Sequence, residues 1–262
     1  MAIDTLYVNG CSWTFGHGIP SDPDFPVLES PQTIRQTVSD LSWPGLLSKY
    51  FNASLINDSA GGGSNSRIVR TTCDFIRNCP PEKYSQLFVV IGWAAPQRNE
   101  IYVEYNKKGT WHIFNPGHPF ADQFHSEEHP YPPHVMKSLT HYHELYEKII
   151  QRDHSDFVRF FNQIYLLSNL LDNLKIKYLF FSSIGFPYLK TKDVHDEFSK
   201  EFQYMSDLRY MGMNEKYCMA EFCQERGIPL SQCFHPMMKG HELWSKKLIA
   251  RIKKIWPSIN DQ

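Results

Sequence analysis

No run of apolar residues in this 262-residue chain reaches the roughly 20 needed to cross a bilayer, so no membrane association is expected. The opening Met1-Ala-Ile-Asp has neither a basic segment nor a long apolar one, the marks of a secretory leader. An excess of either charge is missing as well. With 27 Lys and Arg against 28 Asp and Glu, the formal net charge is −1, which argues against a broad basic surface for nucleic acid. The six cysteines (Cys11, Cys73, Cys79, Cys218, Cys223, Cys233) contain no Cys-x-x-Cys pair, and a chain of this length needs no disulfide framework. A cytoplasmic, reducing setting is therefore expected. There is no internal repeat and no low-complexity segment. The histidines at 112, 118, 125, 129, 134, 141, 143 and 154 match no H-E-x-x-H or zinc-finger spacing, so neither a metal nor another cofactor is expected.

What is present is a chain rich enough in apolar (42%) and aromatic (15%) residues to bury a substantial core. Three short apolar runs read as buried strands: Thr5–Asn9, Gln86–Trp93 and Lys175–Ser183, with Ala53–Asn57 as a fourth, shorter one. Helical stretches fall between them at 42–51, 67–77 and 156–174, and again at 214–226 and 242–255. Ile228–Leu230 reads as a last short strand, and the Pro-, Asp- and Ser-rich stretch 19–39 as a long loop. Strands and helices alternating in this way predict an α/β fold, a three-layer α/β/α sandwich about one parallel sheet. Ile101–Tyr105 and Thr110–Phe114 alternate around Asn106-Lys-Lys-Gly109 and predict a β-hairpin. Together with the aperiodic His- and Pro-rich stretch to residue 154, it forms an insertion at about 98–155 with the look of a lid. The whole of 1–262 reads as a single domain.

Chemistry concentrates where strands end. Thr5–Asn9 runs into Gly10-Cys11-Ser12, which sets the Ser12 hydroxyl at the carboxyl edge of the sheet, where open α/β sheets bind ligands. First-turn N–H groups lack helical partners, so Ser12 can supply both a nucleophile and an oxyanion donor. As the bland alternative, Ser12 simply caps a helix. Asn57–Asn65 places Gly61-Gly62-Gly63 after the second strand, where the backbone can approach a ligand closely. Such a loop can also hold phosphate, although neither G-x-x-x-x-G-K-[ST] nor G-x-G-x-x-G is present. Gly92-Trp93-Ala94 closes the third strand, and His235-Pro236 precedes the terminal helix.

These four segments in this order resemble the SGNH (GDSL-like) hydrolases across nearly the whole chain. The resemblance implies a flavodoxin-like sheet, Ser12 as nucleophile and His235 as the base that takes its proton. It also implies an oxyanion hole from the N–H groups of Ser12 and Gly62, with Gly61 and Gly63 as register alternatives. Two family residues are absent: Ala94 stands where an Asn donor is usual, and Cys233 and Gln232 stand where an acid usually precedes the histidine. Gln97, Arg98 or Asn65 could replace the donor, and a backbone carbonyl or Gln232 could hold the imidazole. His241, one turn into the terminal helix, is the other histidine nearby, read as a packing residue. Trp13, His17, Trp93, Gln97, Arg98 and Asn65 are the candidate substrate contacts, with core packing as the alternative for both tryptophans.

Three functions fit. The first is a serine hydrolase that cleaves an acyl ester on a carbohydrate-like or other small polar substrate through an acyl-Ser12 intermediate, or a transferase of the same acyl group. The second is a catalytically inactive glycan- or ligand-binding protein on the same fold. The third is a phosphate- or nucleotide-handling protein that uses the Gly61–Gly63 loop. No nucleic-acid partner is expected, and oligomeric state is left open.

Overall fold

A computed structural model describes residues 3–28, 30–105, 108–114, 131–146, 148, 153–184, 197–207, 209–211 and 218–259. Its centre is a five-stranded parallel sheet. Strand β1 (Thr5–Gly10) lies between β2 (Ser54–Asn57) and β3 (Leu87–Trp93). Beyond β3 come β6 (Lys177–Ser182) and the two-residue β7 (Tyr210–Met211), giving the order β2-β1-β3-β6-β7. Counted within the sheet this is 2-1-3-4-5, the flavodoxin-like order, whose switch point lies between β1 and β3. The register there pairs Gly10 with Gly92, so both strands end at the same level.

Alternation along the strands sorts their side chains into two cores. Leu6, Val8, Phe88, Val90, Leu179 and Phe181 face one side. They meet α3 (Trp43–Phe51), α8 (Met219–Glu225) and α9 (Met238–Ile255) through Trp43, Leu47, Phe222, Trp244, Leu248 and Ile252. On the other side, Tyr7, Val89, Ile91, Trp93, Tyr178 and Phe180 meet α4 (Asn65–Asn78), α6 (Asp153–Asn173) and α7 (Ser199–Asp207). Helix, sheet and helix thus form the three layers expected from the sequence.

A short α1 (Ser12–Phe15) follows β1, and the expected hairpin follows β3 as β4 (Asn99–Tyr105) and β5 (Lys108–Phe114). Arg70 of α4 holds that hairpin to the body. Its guanidinium grips the buried Glu100 carboxylate through two bonds (2.9 and 3.1 Å) and lies over the Trp111 ring at 4.3 Å.

Several expectations from sequence need correction. The stretch 19–39 is not all loop: Ile19–Ser21 is a 3-10 turn, and Pro31–Leu41 is helix α2 with its proline in the first turn, where a missing N–H costs nothing. Residues 133–145, read as aperiodic, form α5 (Pro133–Leu145). Ile228–Leu230 does not join the sheet; Leu230 makes only an isolated antiparallel bridge to Pro236. The fifth strand is instead Tyr210–Met211, too short to carry a periodic pattern. Helix α9 begins at Met238, four residues before the expected Glu242, so it includes Gly240 and His241. His118, His125 and His129 lie outside the described residues. No helix among the described residues is long and apolar enough to cross a membrane.

Candidate active site

Ser12 is the first residue of α1, whose N-cap is Cys11 in extended backbone. The turn closes through the Thr14 and Phe15 N–H groups on the Cys11 carbonyl, and Gly16 ends it in the left-handed region at φ 93°. Neither the Ser12 nor the Trp13 N–H has a carbonyl partner among the described residues, as the start of a helix dictates. Gly10 has no alternative: a Cβ there would stand 2.1 Å from Thr14 Oγ1 and 2.8 Å from the Gly92 carbonyl. The serine therefore sits on a turn wedged between β1 and β3.

His235 arrives from the far end of the chain on the loop before α9. Ser231, itself buried, shapes that loop. Its N–H donates to the His235 carbonyl (2.8 Å), and its Oγ accepts from the His235 N–H (3.1 Å). Phe234 takes a left-handed conformation (φ 59°) and turns its ring out, 75% exposed. Two contacts seat the loop against the front of the chain. Gly18 packs so closely that a Cβ would stand 2.6 Å from the Pro236 carbonyl, and the Asp22 carboxylate accepts from the Met238 N–H at the start of α9 (3.0 Å).

The result is a hydrogen bond of 2.7 Å between Ser12 Oγ and His235 Nε2. Its direction follows from the other ring nitrogen. Nδ1 lies 2.8 Å from the Cys233 carbonyl, which can only accept, so the proton is on Nδ1 and the Ser12 hydroxyl donates to Nε2. That is the tautomer a general base needs. Among the described residues no carboxylate is hydrogen-bonded to the ring. The Cys233 main chain does the orienting, with Cys233 Sγ a further 3.3 Å contact, and Gln232 makes no hydrogen bond among the described residues. Burial pulls the His235 pKa below its usual value; the Cys233 carbonyl opposes this, and the charges of His17 and Arg98 add to the lowering. The imidazole is accordingly neutral at pH 7.

The glycine loop lies alongside. The Ala60 N–H donates to the Gly10 carbonyl (3.2 Å), and a Cβ on Gly63 would stand 2.9 Å from the same oxygen. The Gly63 N–H is occupied by Ala60, whereas that of Gly62, at φ 71°, has no partner among the described residues. Of the three glycines in register, Gly62 alone combines the left-handed backbone that favours glycine with an unused donor.

The remaining candidates divide. The rings of Trp13 and His17 flank His235, with centroids 5.9 and 5.1 Å away. Gln97 and Arg98 lie on the turn after β3, half-exposed. Trp93, expected at the crevice, is fully buried on the opposite side of β3, edge-on to Phe160 and Phe180. It shares strand parity with Val89 and Ile91 and belongs to their core. Asn65 is also corrected. It is 1% exposed, its Nδ2 donates to the Ala94 and Ala95 carbonyls (3.1 Å each) and its Oδ1 accepts from the Ala94 N–H (2.9 Å). It clamps the turn after β3 and has no donor left for a ligand. His241 is buried against α3 with Nδ1 accepting from the Trp43 N–H (3.2 Å), a packing role. Of the two ways foreseen to hold the imidazole, the structure uses a backbone carbonyl, that of Cys233, and not Gln232; the supports missed in the sequence are Ser231 and the close packing of Gly18. A Ser four residues before His235 and a Gly after the Ser12 turn hint at these two, whereas which carbonyl meets the ring leaves no mark in the sequence.

A groove of about 320 Å³ lies beside this centre rather than over it, lined by Asp22, Asp24, Leu41, Leu46, Met238, Lys239 and Glu242. Among the described residues, no group of three or more His, Cys, Asp or Glu is placed to hold a metal ion.

Fold and site together define an α/β/α sandwich with a serine–histidine pair at the carboxyl edge of a flavodoxin-ordered sheet. Residues 27–257 match a family of unknown function, DUF6071, and the chain belongs to that family. No curated protein matches the chain. Among solved structures it is similar in chain course to a psychrotrophic esterase from Pseudoalteromonas sp., at 13% identity over 96% of this chain and 97% of that one (TM-score 0.48). A G-D-S-L family lipolytic protein from Veillonella parvula shows 10% identity over 94% and 96% (TM-score 0.46). An acetyl xylan esterase from Butyrivibrio proteoclasticus shows 12% over 97% and 64% (TM-score 0.46).

Proposed function

We propose that the chain is an SGNH-type serine hydrolase that cleaves an acyl ester. Ser12 Oγ attacks the ester carbonyl while His235 Nε2 takes its proton, and the same proton passes to the departing alcohol. Water then repeats the sequence on the acyl-serine and releases the acid. The N–H groups of Ser12 and Gly62 face the tetrahedral oxyanion, and each such donor is worth about 10²–10³ in rate. Trp13, His17, Gln97 and Arg98 line the approach to a small polar, carbohydrate-like substrate. Transfer of the acyl group to an alcohol uses the same first step. Cytoplasmic location and function without metal or cofactor belong to the same reading.

The observation that carries it is the 2.7 Å Ser12–His235 bond with Nδ1 held by the Cys233 carbonyl. A second reading, a ligand-binding protein that does no chemistry, draws on the carboxylate-free base and on Asn65 being spent on the Ala94 turn. A fluorophosphonate decides between them. Stoichiometric labelling of wild type, absent in Ser12→Ala and slowed at least about 10²-fold in His235→Asn, supports the hydrolase. A folded wild-type protein that resists labelling favours the binding protein.

A further inference from the structure

The turn that carries Arg98 is pinned from three directions. Its own N–H closes on the Ala95 carbonyl (3.1 Å) with Pro96 second in the turn, an ordinary tight-turn position for proline. The Asn65 amide clamps Ala94 and Ala95, and Arg159 Nη2 donates to the Pro96 carbonyl (3.3 Å). A half-exposed loop residue has no evident need of such support. The other arginines around this end of the sheet are all satisfied: Arg67 by the Asp58 carbonyl, Arg70 by Glu100, Arg159 by Asp156 and the Tyr146 hydroxyl. Arg98 is the exception. Its Nη1 is buried and has no hydrogen-bond partner among the described residues.

A buried guanidinium nitrogen without an acceptor is costly, since a charged donor loses water and gains nothing. Arg98 also lies within electrostatic reach of His235, and its charge helps to lower that imidazole's pKa. Arg98 therefore brings a fixed positive charge toward an imidazole that no carboxylate among the described residues contacts. A planar fork with unused donors matches a carboxylate better than a hydroxyl or a neutral carbonyl.

We propose that Arg98 receives a carboxylate of the substrate, so that the ester cleaved at Ser12 carries an anionic group on its acyl or its alcohol side. This rests on the hydrolase reading for the reaction but on the unpaired Nη1 for the anion. A rotamer change of the half-exposed Arg98 side chain brings Nη1 out to the anion, which completes the guanidinium's hydrogen bonds. The anion also replaces part of the negative charge that the base lacks, favouring the imidazolium that forms as Ser12 attacks. The rigid turn fixes where the carboxylate sits and hence which ester bond reaches Ser12 Oγ.

Two matched pairs test this: p-nitrophenyl succinate against its methyl ester, and 4-acetoxybenzoate against methyl 4-acetoxybenzoate. In wild type the ratio of kcat/KM, acid over methyl ester, exceeds one in at least one pair. In Arg98→Ala that ratio falls at least about tenfold, and Arg98→Lys recovers part of it. Ratios unchanged by Arg98→Ala in both pairs overturn the proposal. The Ser12→Ala protein gives a readout free of turnover: p-nitrophenyl succinate raises its melting temperature and the methyl ester does not, and Arg98→Ala removes the difference. If wild type hydrolyses no ester and Ser12 is not labelled, the hydrolase reading falls, while the stabilisation experiment still decides the anion site. An equal shift by acid and methyl ester, or none by either, overturns it.

Discussion

Replacing Cys233 by aspartate puts a carboxylate where this chain orients the His235 ring, the base of the proposed reaction, with a main-chain carbonyl. Cys233 Sγ lies 3.3 Å from His235 Nδ1, close enough for an aspartate oxygen to take the Nδ1 proton. At 3.3 Å a unit charge pair is worth about 1 kcal/mol in a water-like dielectric and about 5 kcal/mol at an effective dielectric near 20. Cys233 is exposed, so the lower figure applies, equivalent to about one pKa unit. The sign is fixed: an adjacent anion favours the imidazolium, so the lowered His235 pKa rises. Because the base must be neutral to accept the Ser12 proton, the acid limb of the pH–kcat/KM profile moves up by about one unit in Cys233→Asp. Above that limb the rate increases, since the carboxylate stabilises the imidazolium of the transition state. A gain of about tenfold is expected, well inside the 10⁴ that loss of such an acid costs a serine protease. The assay is p-nitrophenyl acetate hydrolysis from pH 5 to 9, with NMR titration of the His235 ring as a readout independent of turnover. A ring pKa that stays put or falls, in a variant with unchanged melting temperature, refutes the placement of residue 233 beside the base.

Two further predictions concern stability. His241 is wholly buried and its pKa is pulled to about 3, mainly by burial, while in the unfolded chain it titrates near 6.5. Between those values the unfolded chain binds a proton that the native one does not, so stability falls as pH drops below 6.5. By pH 5 the loss from this residue is about 2 kcal/mol. Urea unfolding at pH 7 and pH 5 should show it in wild type and not in His241→Asn; the same loss in both proteins would count against it. Asn65→Ala strands the Ala94 N–H and two carbonyls and should cost about 2–3 kcal/mol, seen as a melting temperature lower by several degrees. A shift within about a degree would mean that the turn after β3 does not need its clamp.

Three of the sheet's central strands were legible because strands buried on both faces are written as unbroken apolar runs, such as Leu87–Trp93 with all seven residues buried. The same run held the answer for Trp93. Its parity with Val89 and Ile91 sends it into the core, and proximity to the glycine turn in sequence was a poorer guide than the two-residue repeat. Helix α2 was hidden by composition: it has one buried residue, Val38, and its Pro, Ser and Asp read as a loop. Tyr210–Met211 is a strand only because β6 lies beside it. At the site, Ser12 and His235 are side-chain chemistry at strand and helix ends, which sequence displays. A backbone carbonyl behind the imidazole was foreseen, but not that it belongs to Cys233; the Asn65 amide that reaches a turn 29 residues away stayed hidden because the contact is long-range.

The Ser12–His235 contact joins residues 223 positions apart. Ser12 belongs to the turn after β1 and His235 to the loop before α9, so neither segment can make the bond without the other. The bond is thus a report on the tertiary fold, present only while the loop before α9 stays seated against the end of β1. Any opening that lifts that loop from the sheet separates the pair and leaves Ser12 with the weak nucleophilicity of an ordinary alcohol.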